Sequence, residues 1–503
     1  MKQQTLIGVD IGTTSTKTVA FDIEGKVLFH YAIEYPIISK EPDHAEQDPK
    51  VVLQAVLDGL KIVVEQLHNS GYHLQGVSFS SAMHSLIVVD EQDHLLTNCL
   101  IWADSRSKEY ATELKNSAIG HTIYLQTGTP LHPMSPLPKI CWLRDHEPEV
   151  YRKAAKFIGI KEYVFLRLFG EHKVDYSIAS ATGLFNIFDL DWHTEALKIA
   201  GINEEQLSKP VPSTYTFHDL RPRYATYLNI SSATPFVIGA SDGCLANLGS
   251  NAVRPGDAVV TIGTSGAVRM MADKPATDLQ ERIFSYILTP ERFVLGGAVN
   301  NGGVVLRWFR DNFFELETVA AREQNFNSYT LLNKMASTVP AGADGLLFLP
   351  YLLGERAPIW DASARGCFFG VHFNHTRAHF ARAVMEGVIF GVYSVGKALE
   401  QTIGTASAIY ANGGFARSEL WVQMLADVFN IQVHITETPE GSAFGAAVMG
   451  MYALNMIDNL EEVEKMVTIT KTFVPDQLNH QRYMKNFALF EELYPKLKGS
   501  FGK

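Results

Sequence analysis

The sequence predicts an α/β protein of two domains, each built on a mixed sheet covered by helices. Three observations carry that expectation. The chain has 503 residues, and single hydrophobic cores rarely grow past about 250–300 residues. Its opening segment, to Ser80, reads strand, strand, strand, helix, strand, an order that sets helices on the faces of a sheet. The turn after the first strand, Asp10-Ile11-Gly12-Thr13-Thr14-Ser15-Thr16-Lys17, is echoed half a chain later by Val259-Val260-Thr261-Ile262-Gly263-Thr264-Ser265-Gly266. Both are β-branched strands entering turns of glycine and small hydroxyl residues, as if two halves followed one plan and faced each other across a phosphate chain.

Taken in order, Thr5–Asp10, Thr18–Asp22 and Val27–Ile33 read as strands, with Glu24-Gly25 turning between the last two. Asp48-Pro49 opens a helix that runs to about Asn69, Asp as N-cap and Pro at the first helical position. Gly76–Ser80 returns as a strand. Phe236–Asp242 is a strand leading into Leu245–Asn251, where the halves join; the boundary near Asn251 gives domains 1–250 and 251–503. Beyond it, Asp257–Ile262 and Ala267–Met271 flank the second turn, Phe293–Gly296 follows, and Ala408–Ala411 enters Gly413-Gly414. Helices are predicted over Val304–Phe314 and His379–Gln401, with a closing helix pair over Ala443–Leu454 and Leu478–Leu497.

Composition excludes several classes. With 46% hydrophobic and 19% charged residues the chain is ordinary globular protein. A net charge of −11 argues against a nucleic-acid partner, whose grip would rest on basic patches, but allows an anionic substrate at an electropositive loop. Four scattered cysteines without a C-x-x-C pair read as free thiols in a reducing compartment. Met1-Lys2-Gln3-Gln4 runs straight into a strand, with no signal peptide. The most apolar stretch, Ala383–Leu399, contains Glu386 and Lys397 and falls short of the ~18–20 residues of a membrane span. A cytoplasmic protein without a membrane partner is expected; a homodimer is left open.

The paired turns suit phosphate. Gly12, Gly263 and Gly266 let successive N–H groups converge on an anion. Thr13, Thr14, Ser15, Thr264 and Ser265 add hydroxyl donors, and Lys17 adds charge. Asp10 repels phosphate unless a cation lies between, which points to Mg²⁺, an ion held by few carboxylates plus phosphate and water. The alternative is two ligand-free hairpin turns.

Other segments leave two readings each. Phe236–Gly243 contains a literal G-x-S-x-G, so Ser241 reads as a hydrolase nucleophile or Asp242 as a general base taking a substrate hydroxyl proton. Met83, His84, Trp102, Asp104 and Arg106, in Ser80–Ser85 and Trp102–Arg106, suit a polyhydroxylated ligand, or else are a buried histidine and an ion pair. His372, His375 and His379 read as a helix N-terminus rather than a metal site. The stretch from Asp344 to Gly354-Glu355-Arg356 is an ion pair at an interface or a ligand contact. Gly414 and Ser418 sit in Gly413–Ser418, a turn open to a flat base or ribose, or a plain helix start. Neither G-x-x-x-x-G-K-[ST] nor G-x-G-x-x-G occurs, so no P-loop or dinucleotide fold is present.

Two further strings carry a family resemblance: Met134-x-Pro136-x-x-Lys139-Ile140-x-Trp142-Leu143, and Gly366-x-Phe368-x-Gly370-Val371 followed by His379-Phe380-x-x-Ala383-Val384-Met385-Glu386. With the two turns, they resemble the FGGY carbohydrate kinases of the sugar kinase/Hsp70/actin superfamily, from Gly8 to about Leu454. The resemblance implies two ribonuclease H-like, actin-like ATPase domains with the active site in the interdomain cleft, ATP and Mg²⁺ as cofactors, Asp242 as catalytic base and Asp10 beside the metal. It sets Gly12, Thr13, Thr14, Ser15 and Lys17 at the phosphates, with Gly263 and Thr264 opposite. Gly303 and Arg307 line the nucleotide, and Gly414 and Ser418 the adenosine; family members often carry Gln or Asn where Arg307 and Ser418 stand.

Xylulose kinases of the family usually show Gln-Met-His-Gly where this chain has Ala82-Met83-His84-Ser85. The strings around Met83-His84, Trp102–Arg106 and His132–Leu137 are most similar to its bacterial gluconate kinases. That likeness implies transfer from ATP to the 6-hydroxyl of D-gluconate, with Arg106 facing the sugar-acid carboxylate. The alternatives are a D-xylulose or other polyol kinase, a serine hydrolase acting through Ser241, and a non-catalytic nucleotide switch.

Overall fold

The structure, a computed structural model, describes residues 4–315, 318–319, 327–437 and 441–501; the opening Met1-Lys2-Gln3 lies outside them. The chain forms two compact units. The first comprises Met1–Arg254, Met271–Val294 and Thr438–Thr468, the second Pro255–Met270, Leu295–Glu437 and Ile469–Lys503.

In the first unit a six-stranded sheet runs Thr216–Phe217, Phe236–Ser241, His73–Ser81, Gln4–Ile11, Ser15–Asp22, Val27–Glu34. Gln4–Ile11 pairs antiparallel with Ser15–Asp22 and parallel with His73–Ser81, which pairs parallel with Phe236–Ser241. The register sets Ile11 beside Ser81 and Ser81 beside Ser241. The carboxyl ends of three parallel strands therefore finish side by side, the edge at which open α/β sheets bind ligands.

Both faces of this sheet are covered, because alternate side chains point to opposite sides. Ile7, Val9 and Ala20 pack with the helix Pro49–Asn69, while Leu6, Val19 and Phe21 pack with the helix Gly441–Ala453. The first helix starts as predicted, Asp48 accepting from Lys50 N at 2.8 Å. The second lies very close: a Cβ at Gly8 would stand 2.0 Å from Ala443 O, and one at Gly445 1.9 Å from Leu245 O.

The predicted closing pair of helices is not a pair. Gly441–Ala453 belongs to the first unit and Gln477–Leu497 to the second. Their sequences explain it: the former buries nine residues in an unbroken run from Ala443 to Met451, whereas the latter buries only the stripe Tyr483, Phe487, Phe490 and Leu493.

In the second unit the strand Asp257–Ile262 pairs antiparallel with Gly266–Ala272 and parallel with Ala408–Asn412, which pairs parallel with Val433–Glu437. The arrangement around the second turn thus repeats that around the first. Helix Arg377–Ile403 forms much of this unit's core, burying Ala381 through Val392 without interruption. Among the described residues no helix is long and apolar enough to cross a membrane.

Candidate active site

At the first-unit edge the turn is only Gly12–Thr14, because Ser15 and Lys17 already lie in the second strand. Gly12 N donates to Ser15 O at 2.9 Å. Tyr35 Oη donates to Gly12 O (2.8 Å) and Gln47 Nε2 to Thr13 O (2.6 Å). Since a trans peptide holds its C=O and the following N–H in opposite directions, these two bonds turn the amides of Thr13 and Thr14 away from Tyr35 and Gln47. Asp10, opposite Lys17 in register, accepts from Ser80 Oγ at 2.7 Å.

The next strand end decides between Ser241 and Asp242. Ser241 is fully buried, and its hydroxyl accepts from Ser177 Oγ (2.9 Å) and Cys244 N (3.4 Å), capping the helix Asp242–Gly249. A nucleophile elbow needs an exposed hydroxyl, so the hydrolase reading is corrected: this serine is a cap. Asp242 is half-buried at the first position of that helix, where the dipole favours a carboxylate, and its Oδ1 accepts from Gly243 N at 2.7 Å. Beneath it lies Lys161, unnoticed in the sequence. This buried ammonium donates to Ala240 O at 3.0 Å and pairs with Asp175 at 2.7 Å. Burial pushes its pKa down; Asp175, and more weakly Glu162 and Asp242, pull it back.

Around the third strand end stand the expected sugar contacts. His84 is buried, and its Nδ1 lies 2.7 Å from Ala181 O, which places a proton there; Nε2 lies 3.4 Å from Tyr286 Oη. Met83 packs beside the apolar cluster on the Gly441–Ala453 face. Trp102 is 40% exposed, its indole N–H donating to Thr13 Oγ1 at 2.9 Å. Arg106 is a correction. Its Nε and Nη2 donate to both oxygens of Asp104 (2.9 and 2.7 Å) and Nη2 to Glu46 (2.5 Å), and its guanidinium lies 5.2 Å over Trp142. With the side chain 7% exposed and two carboxylates already on it, it orders its own loop instead of offering a cation to a substrate carboxylate.

In the second unit a cavity of about 380 Å³ is lined by Gly263, Thr264, Gly303, Arg307, Gly414 and Ser418, whereas Ser265 and Gly266 of the same turn do not line it. Gly303 N donates to Gly263 O (2.6 Å) and Val304 N to Thr264 O (3.1 Å), docking the helix Gly303–Phe313 on the second turn. Gly413, at φ +97°, is needed because a Cβ would stand 2.6 Å from Ile262 O. At Gly263 and Gly414, by contrast, a Cβ would meet no protein atom within 4 Å. The space those two glycines leave is therefore a cradle rather than packing, and it fits a nucleotide. Ser418 accepts from Trp421 N at 3.3 Å as a helix cap, so its hydroxyl serves the helix as well as the cavity. Asn327, Tyr329, Thr330 and Asn333 complete the wall from the helix Ser328–Ala336. No motif marks them; the Asn327 cap, accepting from Tyr329 N, is their one sequence signal.

The remaining segments are internal to the second unit. His379 Nδ1 accepts from Thr376 N at 3.1 Å at the start of the helix Arg377–Ile403, and its Nε2 meets Asp344 at 3.1 Å. Glu355 is 4% exposed and accepts from Asn300 N, Arg356 N (2.9 Å) and Asn301 Nδ2 (3.0 Å); burial raises its pKa to about 7.

The N-terminal-domain model of the FGGY family of carbohydrate kinases matches residues 5–249, and the C-terminal-domain model matches residues 258–454. The chain belongs to the FGGY family. As a carbohydrate kinase of two α/β domains, it uses ATP as phosphoryl donor. The gluconokinase of Bacillus subtilis is 46% identical over 497 residues, covering 99% of this chain and 96% of the relative. Two solved structures from Lactobacillus acidophilus, one described as a gluconate kinase and one as a ligand-bound xylulose kinase, each match with a TM-score of 0.94 and 36% identity. They cover 100% and 99% of this chain, and 99% of each structure.

Proposed function

We propose that this FGGY kinase transfers the γ-phosphoryl group of ATP to the primary 6-hydroxyl of D-gluconate. The observation that carries the reading is 46% identity to a gluconokinase over 99% of the chain. In the proposed reaction Asp242 accepts the hydroxyl proton as that oxygen bonds to phosphorus, and the bond to the β-phosphate oxygen breaks to release ADP. The N-terminal end of the helix behind Asp242 favours a carboxylate there, and Lys161 braces the end of the preceding strand through Ala240 O. In the first unit the Thr13 and Thr14 amides are the proposed donors to phosphate oxygens, and in the second unit the Thr264 hydroxyl.

Among the described residues no cluster of three or more His, Cys, Asp or Glu side chains could hold a metal. A Mg²⁺ ion would then be held by Asp10 together with phosphate and water, where it would neutralise phosphoryl charge. Met83, His84 and Trp102 are the proposed sugar contacts, and Asp104 and Arg106 order that loop. Four free cysteines agree with a cytoplasmic enzyme.

A second reading, D-xylulose as substrate, is favoured by the xylulose kinase structure that matches as well as the gluconate kinase structure. A coupled ADP-release assay over gluconate, xylulose, ribulose and glycerol separates the two. The highest kcat/KM is expected on gluconate; a higher value on xylulose would establish the second reading instead.

A further inference from the structure

Lys139 stands in the first turn of the helix Pro136–His146, where a cation meets the unfavourable end of the helix dipole, and it is wholly buried. Neither fact suits a lysine placed for packing or charge. Its Nζ donates to three backbone carbonyls: His84 O at 2.9 Å, Ile101 O at 2.7 Å and Met134 O at 2.8 Å. An ammonium has three N–H donors, so donors and acceptors match one to one.

The three carbonyls come from segments far apart in sequence. One follows the strand His73–Ser81 and carries Met83 and His84; one enters Trp102–Arg106; one leads into the helix that bears Lys139 itself. His84 also has a φ of +67°, a left-handed conformation that non-glycine residues seldom adopt unless the surroundings enforce it. Here Lys139 holds its carbonyl while Ala181 O holds its ring.

We infer that Lys139 is a positioning residue for the sugar. Its ammonium ties the backbones of His84, Ile101 and Met134 together, so that the His84 imidazole and the Trp102 ring keep the geometry that receives substrate. Lys139 itself touches no substrate. The inference rests on the reading of Met83, His84 and Trp102 as sugar contacts.

Two variants test it. Lys139→Met keeps the volume of the side chain and removes the shared donor from all three carbonyls, of which Ile101 O still accepts from Asp104 N at 3.1 Å, whereas Lys139→Gln keeps two N–H donors. Steady-state kinetics on both substrates should show the gluconate KM rising by about ten-fold or more in Lys139→Met and by less in Lys139→Gln. The ATP KM should stay within about two-fold in both. An unchanged gluconate KM in either soluble variant overturns the inference, as does a parallel rise of both KM values. Failure of both variants to fold assigns Lys139 to folding alone and overturns it too. A wild-type enzyme inert on gluconate sinks the substrate reading instead; the same KM split is then read on whichever sugar it phosphorylates.

Discussion

Asp242 and Arg106 show what single residues add to a motif. Asp242 lies next to a serine that satisfies a nucleophile pattern, and only burial separates them: Ser241 is sealed as a cap and Asp242 stays half-exposed at the strand end. Asp242→Ala is expected to abolish turnover while ATP binding, measured by titration calorimetry, stays within about three-fold of wild type. Arg106 was legible as a functional cation but not as a satisfied one, because Glu46, the second carboxylate, is 60 residues away in sequence. Arg106→Met leaves Asp104 and Glu46 facing each other in a largely buried site. A loss of about 3 kcal/mol is expected on chemical denaturation, the range for breaking one partner out of a buried ion pair. A substrate-facing arginine would instead raise the gluconate KM and leave stability alone.

Among the elements, strands and helices with strong local signals were legible nearly to the residue. Asp257–Ile262 was placed without error, and the helix capped by Asp48 ends at Asn69 as read. The first turn was placed too long, since pairing with Val27–Glu34 draws Ser15–Lys17 into the strand. Phe284–Thr289 was missed, being a short apolar run buried at every position and so without alternation. The second turn gives two predictions. Gly414→Ala adds a methyl that meets only the cavity, so Tm should hold while the ATP KM rises several-fold; a lower Tm with unchanged KM would contradict the cradle. Glu355 ties the segment Leu353–Ala357 to Asn300–Asn301, just before the helix at the nucleotide cavity. Its folded pKa, about 7, lies above the unfolded value of 4.5, so the folded state binds the extra proton between those limits. Its contribution is complete below pH 4.5 and is lost as pH rises through 7. Glu355→Gln should remove that slope: the variant's Tm relative to wild type should rise from pH 5 to pH 8, and a constant difference would count against a titrating Glu355.

For the whole molecule, the repeated strand-turn-strand plan was visible because each copy is local. Membership of the units was not. Met271–Val294 and Thr438–Thr468 fold with the first unit through contacts such as Tyr124 Oη with Ile283 O and Gly8 with Ala443, which local periodicity does not encode. The second-unit cavity, the proposed nucleotide site, was legible in its turns, Gly263–Thr264 and Gly414, and illegible in the helix wall from Asn327 to Asn333. The proposed sugar contacts Met83, His84 and Trp102 stood out in the sequence, whereas the buried Lys139, bonded to the carbonyls of His84, Ile101 and Met134, and Lys161, bonded to Ala240 O and Asp175, gave no signal of their partners. The most direct measurement is phosphorus–proton correlation NMR of the product formed from gluconate, ATP and Mg²⁺ by the purified enzyme and by Asp242→Ala. Wild type should yield a single phosphomonoester coupled to the two C6 protons, and Asp242→Ala none. No phosphogluconate from wild type, or comparable product from Asp242→Ala, would contradict gluconate phosphorylation with Asp242 as base.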